Sequence, residues 1–456
     1  MNEKNTSPLF IYIIVLSQFV VPFMFSGVGV TLPSIGHDFS ASGVSLGLIE
    51  TIYLGASAAF LLPMGKLGDS GDKKTIFKYG QLIFALTTLA LGFMPTIEAV
   101  IAVRFVQGVA SAMLAATGMA IITDVVPAQF RGKAFGFSIG AIYAGIATGP
   151  LISGVITHYL SWHWVYWISF IPLSIACALS FSALPSQWKK IEQPFDFVGS
   201  SIVIISLMSL IFGGAWLSKS QWGYALLLSG LVFAVIFVFS QLRSRYPLVD
   251  VRELIYNVKL SESLVIQMLL YASAFGTTFL FSLYLQVIRG YDPEIAGRIL
   301  VIGSILMACV APIAGRLSDR CSPRILTTIG SLSVFTSTLL SIYISAETSL
   351  TYLITILLLQ GLGFALFSSP NMSVIMGSVD KSRTSVASAL AAKTRSLGMV
   401  VSMLVTTIFL ALIIGDGELS QHKPGFLTAM SHSFIVFSSL AGFSAAIGVY
   451  LLSKKS

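Results

Sequence analysis

The sequence predicts an all-α polytopic membrane protein, on three observations. The 456 residues are 55% hydrophobic and 10% charged, with a mean hydropathy of +0.88, well outside the soluble globular range. Apolar windows of about twenty residues, the length that crosses a bilayer, recur fourteen times. The cations are also sorted: 20 of the 27 Lys and Arg fall in alternate connections on one side, and only Lys219, Arg289, Arg298 and Lys423 fall on the other. That asymmetry places both termini in the cytoplasm.

The windows lie near 9–32, 44–64, 76–95, 98–123, 134–157, 162–184, 197–217, 222–242, 262–288, 299–314, 325–345, 350–372, 385–413 and 429–452. The run from Leu9 to Val30 has no charge and no small-residue cleavage site after it, so it reads as an uncleaved first span. The window at 299–314 is short for a span. Gly65-Lys66-Leu67-Gly68-Asp69 after span 2 is echoed by Gly315-Arg316-Leu317-Ser318-Asp319, with Arg320 next, after span 10. The echo divides the chain 6+2+6: a six-helix bundle at 1–184, two extra spans with linkers at 185–260, and a second six-helix bundle at 261–456.

Four charges fall inside apolar windows: Glu50, Arg104, Lys393 and Arg395. Each costs about 2.5–3.5 kcal/mol near the bilayer centre unless paired or hydrated, so they point to a water-filled path among the helices. Arg104 shares a small or polar helical face with Gln107, Gly108, Ser111 and Ala115. At 1.5 Å per residue it lies roughly 9–10 Å below the outer end of span 4, too deep to snorkel easily. Glu50 lies at similar depth in span 2; a static pair with Arg104 and a titrating site are both open readings. Lys393 and Arg395, two residues apart, point in different directions.

Other features shape the same reading. Span 5 carries Gly145, Gly149, Pro150 and Gly154, a stripe for close packing and bending. In the two loops, Gly65 and Gly315 permit tight turns, and Asp69 and Asp319 could accept from helix amides or a nearby Arg such as Arg320 as a latch between halves. Phe23, Phe25, Tyr53, Tyr143 and Tyr284 could form the apolar wall of a site. Cys177, Cys309 and Cys321 have no paired spacing, so neither a disulfide framework nor a zinc site is expected. There is no phosphate loop, His-Glu-x-x-His or dinucleotide fingerprint, which disfavours ATP-driven transport and catalysis; no metal or cofactor is expected. The net charge of +8 sits in loops facing the membrane surface, so nucleic acid is not an expected partner.

These motifs resemble the major facilitator superfamily, in particular its fourteen-span drug:proton antiporter branch of tetracycline and quinolone/antiseptic exporters. Arg104-Phe105-Val106-Gln107-Gly108 is similar to the span-4 motif, and Gly145 to Pro150 with Gly154 to the antiporter motif of span 5. Trp162-His163-Trp164 with Pro172 resembles the start of span 6. Tyr284-Leu285-Gln286, Gly290-Tyr291, Pro293 and Ala296-Gly297 resemble the end of span 9. Ser369-Pro370-Asn371 and Arg395 with Gly398 are similar to later-half patterns. The resemblance implies a non-enzymatic alternating-access transporter of the plasma or inner membrane, working as a monomer on a small molecule with protons as coupling ion. With the intramembrane charges and aromatics, it gives Arg104, Gln107, Lys393, Arg395, Tyr53, Tyr284 and Asn371 as candidate cavity residues.

The departures bear on chemistry. Met24 stands where the branch has a span-1 aspartate, Ile146 where tetracycline exporters have a glutamate, Ser70 for a basic residue and Asp72 for a glycine; Lys393 lies outside the pattern. Two readings follow. In one, Glu50 replaces the missing acid as the proton site of an exporter of amphipathic compounds. In the other, the cationic excess of the cavity selects an anionic or polar, vitamin-like metabolite that moves inward.

Overall fold

The computed structural model describes residues 9–126, 128–183, 195–318, 320–380 and 384–454. In chain order the helices are α1 (Leu9–Asp38), α2 (Gly43–Ser70), α3 (Lys73–Leu91), α4 (Ile97–Val125), α5 (Ala128–Tyr159), α6 (Trp162–Ala183), α7 (Phe197–Ala215) and α8 (Trp222–Arg243). After the short α9 (Val251–Tyr256) come α10 (Val258–Ala274), α11 (Gly276–Leu283) and a π-helical turn at Tyr284–Ile288. The last are α12 (Pro293–Ser318), α13 (Pro323–Ser341), α14 (Leu350–Gly377), α15 (Thr384–Ile413) and α16 (Lys423–Ser453). The only extended pairing among the described residues is an isolated bridge between Ser42 and Glu418.

Short polar turns set the helix starts. Ser42, Asp72, Thr96, Asp196, Asn257 and Ser349 each accept a backbone N–H of the following first turn, satisfying donors that a helix start leaves free. The α1–α2, α3–α4 and α5–α6 turns lie on one side of the bundle, here the Ser40 face. The opposite side, holding Asp69 and the α8–α10 linker, is the Asp69 face.

Twelve helical spans among the described residues are long and apolar enough to cross a membrane. One is α10, α11 and the π-turn read together as Val258–Ile288. Of the fourteen predicted windows, α3 and α13 are helices of 19 residues that fall outside those twelve, because lysines and hydroxyl residues dilute them. They are buried in return: α3 packs on α4 and α6, and α13 on α14 and α16. Their hydroxyls are internally satisfied, Thr88 donating to the Phe84 carbonyl at 2.7 Å and Ser337 to Ile356 at 3.0 Å. The short window at 299–314 needs correction, since α12 runs 26 residues. Glu294 and Arg298 pair one turn apart, which lets polar sequence extend the helix beyond its apolar part.

The tightest contact joins α1 to α5. A Cβ at Gly149 would stand 2.8 Å from the Phe23 carbonyl oxygen and 2.9 Å from the Gly27 nitrogen, so only glycine lets the two backbones meet. Gly154 and Gly297 repeat the device between α5 and α12, each against the backbone of the other helix at Pro293 and Pro150. Pro150 thus contributes a packed carbonyl as well as a missing N–H. α7 packs on both α2 and α15, whereas α8 packs on α7 and leaves most of its length exposed. Between α10 and α11 the helix is interrupted at Phe275, and the freed Gly276 N–H donates to Ser402 Oγ of α15 at 2.8 Å.

Because backbone cannot yield as a side chain can, Gly149→Ala should lower stability by about 1–3 kcal/mol. Thermal unfolding in detergent reads this, and an unchanged midpoint would contradict the α1–α5 packing.

Candidate functional site

Two of the four intramembrane charges meet in the first half. Arg104 of α4 is 0% exposed and Glu50 of α2 is 5% exposed, so neither reaches water by snorkelling. Arg104 Nη2 donates to Glu50 Oε2 at a loose 3.5 Å, and Nη1 to Gln107 Oε1 at 2.7 Å. Gln107 turns its Nε2 to Thr88 Oγ1 of α3 at 2.8 Å, which fixes the amide so that its oxygen faces the guanidinium. The guanidinium also lies 4.3 Å from the Tyr53 ring centroid, and the Tyr53 hydroxyl donates to Ser111 at 3.0 Å. The small-polar face of span 4 is therefore one wall of a polar layer that crosses α2, α3 and α4. Gly108 serves it by letting α4 approach the Tyr53 backbone closely.

The layer is mechanically joined to the second half. Phe25 of α1 stacks between Tyr53, at 5.7 Å, and Phe275, at 5.1 Å, so one aromatic ladder runs from Arg104 to the break between α10 and α11. Thr51, next to Glu50, meets Thr407 of α15 at 3.1 Å. Ser282 and Gln286 donate to the Gly29 and Val30 carbonyls of α1 at 2.7 and 3.0 Å. At mid-depth, Tyr143 of α5 meets Ser368 of α14 at 3.0 Å. These hydrogen bonds between the α1–α6 and α10–α16 groups lie at mid-depth or toward the Ser40 face.

The second-half charges separate, as their spacing predicts. Arg395 and Ser368 both lie close to the Tyr271 hydroxyl, and Ser368 meets Tyr143, a cluster that spans the two groups. Arg395 has no carboxylate partner among the described residues. Lys393 instead donates to the Leu248 carbonyl of the α8–α9 linker at 3.3 Å, which takes it away from both polar layers. Gln241 holds the same linker by accepting from the Leu248 and Val249 amides at 2.6 and 3.1 Å.

Two expected cavity residues are structural ties. The Tyr284 hydroxyl donates to the Ser345 carbonyl at 2.7 Å on the Ser40 face, anchoring the π-turn. Asn371 is buried and donates to Gln267 Oε1 at 3.2 Å, joining α14 to α10. Their polar atoms are consumed by helix packing. Met24 is fully buried, so the span-1 position usual for an acid is apolar and closed.

The loop motifs are placed less symmetrically. Gly65 and Gly315 lie inside α2 and α12 rather than at tight turns; Gly65 faces Ala116 of α4, and Asp69, near the end of α2, pairs with Lys73, at the start of α3, at 3.6 Å. Gly315 faces Ser369 of α14, whose Oγ would stand 3.1 Å from a Cβ placed there; Arg320 is exposed, and Asp319 lies outside the described residues. Sequence reasoning missed Thr88, Tyr166, Tyr271, Ser368 and the Thr51–Thr407 contact. Hydroxyls are common in all these helices, and only the pairing of helices singles these out.

A family model described as Major Facilitator Superfamily matches residues 14–403. The riboflavin transporter RibZ of Clostridioides difficile is 26% identical over 429 residues, 92% of each chain. The tetracenomycin C resistance and export protein of Streptomyces glaucescens is 26% identical over 395 residues, 85% of this chain and 73% of that protein. The multidrug resistance protein Stp of Mycobacterium tuberculosis is 24% identical over 394 residues, 84% and 72% respectively. In fold, a mutant form of the nucleoside transporter NupG superposes with a TM-score of 0.63 at 15% identity, covering 97% of this chain and 99% of that one. The buried ion pair, the interdigitated helix groups and the family match over most of the length identify the chain as a multi-pass, non-enzymatic membrane transporter of the major facilitator superfamily.

Proposed function

We propose that this chain is a secondary transporter with fourteen spans in a 6+2+6 plan and cytoplasmic termini, exporting small amphipathic organic compounds in exchange for protons. The six-helix bundles are 1–184 and 261–456. The Ser40 face is then the outer face. With hydrogen bonds joining the groups at that face and mid-depth, the arrangement is the inward-facing state of an alternating-access cycle.

Glu50 carries the coupling in this reading. Among the described residues it is the carboxylate deepest inside a spanning helix, seven residues from the start of α2, and its Oε1 has no partner. A proton on Glu50 weakens the hold on Arg104, and Arg104 bears on Tyr53 and hence on the Phe25–Phe275 stack between the halves. The adjacent Thr51–Thr407 contact joins the same site to the outer seal. Protonation at one buried carboxylate thus reaches both elements that must move. The named exporters among the relatives favour the outward direction.

A second reading, a polar or anionic metabolite moving inward, is favoured by Arg395. An intramembrane cation without a carboxylate, held by Tyr271 at the junction of the halves, suits an acidic or carbonyl oxygen of a substrate. The likeness to a riboflavin transporter over the full length supports it.

In proteoliposomes Glu50→Gln should reduce proton-driven transport by at least about tenfold while substrate still binds, because a removed proton site affects coupling rather than contact. Full coupling in the variant would refute the assignment. Arg395→Ala should weaken binding of an anionic substrate by roughly 10- to 100-fold, the worth of a charge-assisted hydrogen bond, and leave lipophilic cations unaffected. Competition by anions alone would select the metabolite reading, and competition by lipophilic cations alone the exporter reading.

A further inference from the structure

Tyr166 lies on α6, one turn below Trp162, whose indole N–H donates to Asp38 at the Ser40 face at 2.7 Å. α6 packs on α1 and α3, and Tyr166 is fully buried between them. Its hydroxyl has no hydrogen-bond partner. Two other buried polar atoms of the layer share that condition, Glu50 Oε1 and Arg104 Nε. The hydroxyl lies within electrostatic reach of both Glu50 and Arg104. Helical rise brings the groups to one depth: Glu50 and Arg104 are each seven residues from their helix starts at the Ser40 face, roughly 10 Å. Tyr166 is four residues in, about 6 Å, and its ring extends further.

An unsatisfied buried hydroxyl is costly in a helix bundle, and an isosteric phenylalanine would remove the cost. An unpartnered hydroxyl buried within electrostatic reach of a carboxylate that itself has a free oxygen is better explained as part of a site. We propose that Tyr166 is a positioning residue of the Glu50 proton site, its hydroxyl donating to the Glu50 carboxylate through one water and, by the same bridge, accepting from the carboxylic acid once Glu50 is protonated. A phenol is suited to this, being donor and acceptor at once and uncharged throughout. The proposal rests on the reading of Glu50 as a titrating group.

The charged and titratable groups facing Glu50 are few. Arg104 faces it from α4, Tyr53 from its own helix and Tyr166 from α6. Residues 81–91 of α3, all of α7 and residues 399–413 of α15, which also pack on α2, carry no titratable side chain. On α1, His37 and Asp38 lie at the outer end. A change at Tyr166 is therefore read by Glu50 without an intervening titration.

The sign follows from which form is bonded more strongly. The bond to the carboxylate is charge-assisted and exceeds the bond to the neutral acid, so losing the hydroxyl disfavours ionisation. Infrared difference titration of the purified protein in lipid nanodiscs reads the carboxylic acid carbonyl band, assigned to Glu50 by its loss in Glu50→Gln. In Tyr166→Phe the midpoint of that band should move to higher pH by about one unit, a tenfold change in proton affinity. The band itself should also move to higher frequency as the acid loses its acceptor. Tyr352→Phe, whose hydroxyl bonds the Leu340 carbonyl in the other half, should change neither. If Tyr166→Phe is poorly stable, the wild-type band serves instead: a free, non-hydrogen-bonded acid frequency would overturn the proposal. So would an unmoved or lowered midpoint, or a Glu50 band absent at every pH. Failure of the transport reading is distinct, appearing as unaltered proton coupling in Glu50→Gln whatever the band does.

Discussion

Arg104 constrains the first half more than any other residue. A guanidinium with no exposure, on a helix crossing an apolar layer, must find its partners within the protein. Gln107 lies one turn along the same helix, Thr88 holds Gln107 from α3, and Glu50 and Tyr53 come from α2. Gln107 and Tyr53 are each anchored by a further hydrogen bond, to Thr88 and Ser111, which ties α2, α3 and α4 together. The long 3.5 Å contact to Glu50, beside the 2.7 Å contact to Gln107, leaves the carboxylate as the weakest attachment of the set. A weak link at a group able to neutralise itself is where a proton can act with least disruption.

The connection between this layer and the rest of the molecule is made by shape. Glycines at 149, 154 and 297 allow backbone contact along α1–α5 and α5–α12, which brings the two groups close enough for Phe25 to reach Phe275 and Thr51 to reach Thr407. Such interfaces are stiff, because close-packed backbones move as bodies. The helix break at Phe275, with Ser402 receiving the freed Gly276 amide, lies where the aromatic ladder ends. The extra pair of helices belongs to this arrangement as well: α7 touches α2 and α15, and the linker beyond α8 is held by Gln241 and Lys393.

Much of this was legible in the sequence because a bilayer is a harsh solvent. Length and hydropathy place most of the spans, and a charge in an apolar window singles out a candidate site by its cost alone. Similar depth made a pairing of Glu50 with Arg104 one of two open readings, and packing brings the two together. Where the reading went astray, side chains served local needs: Tyr284 and Asn371 spend their polar atoms tying helices together, and α12 extends through an intrahelical ion pair.

The sequence by itself determined a polytopic helical membrane protein with a deep Glu and a deep Arg at similar depth and a cationic excess at mid-span. Only the tertiary structure decided that Lys393 turns to the linker and Arg395 to Tyr271, that Asp69 pairs with Lys73 at the start of α3, and that Tyr166 brings an unpartnered hydroxyl to the Glu50 layer. The physical reason is directional. Burial cost depends on residue type and depth along one helix, which a sequence displays, whereas partnership depends on the rotation of each helix against its neighbours, which only packing sets.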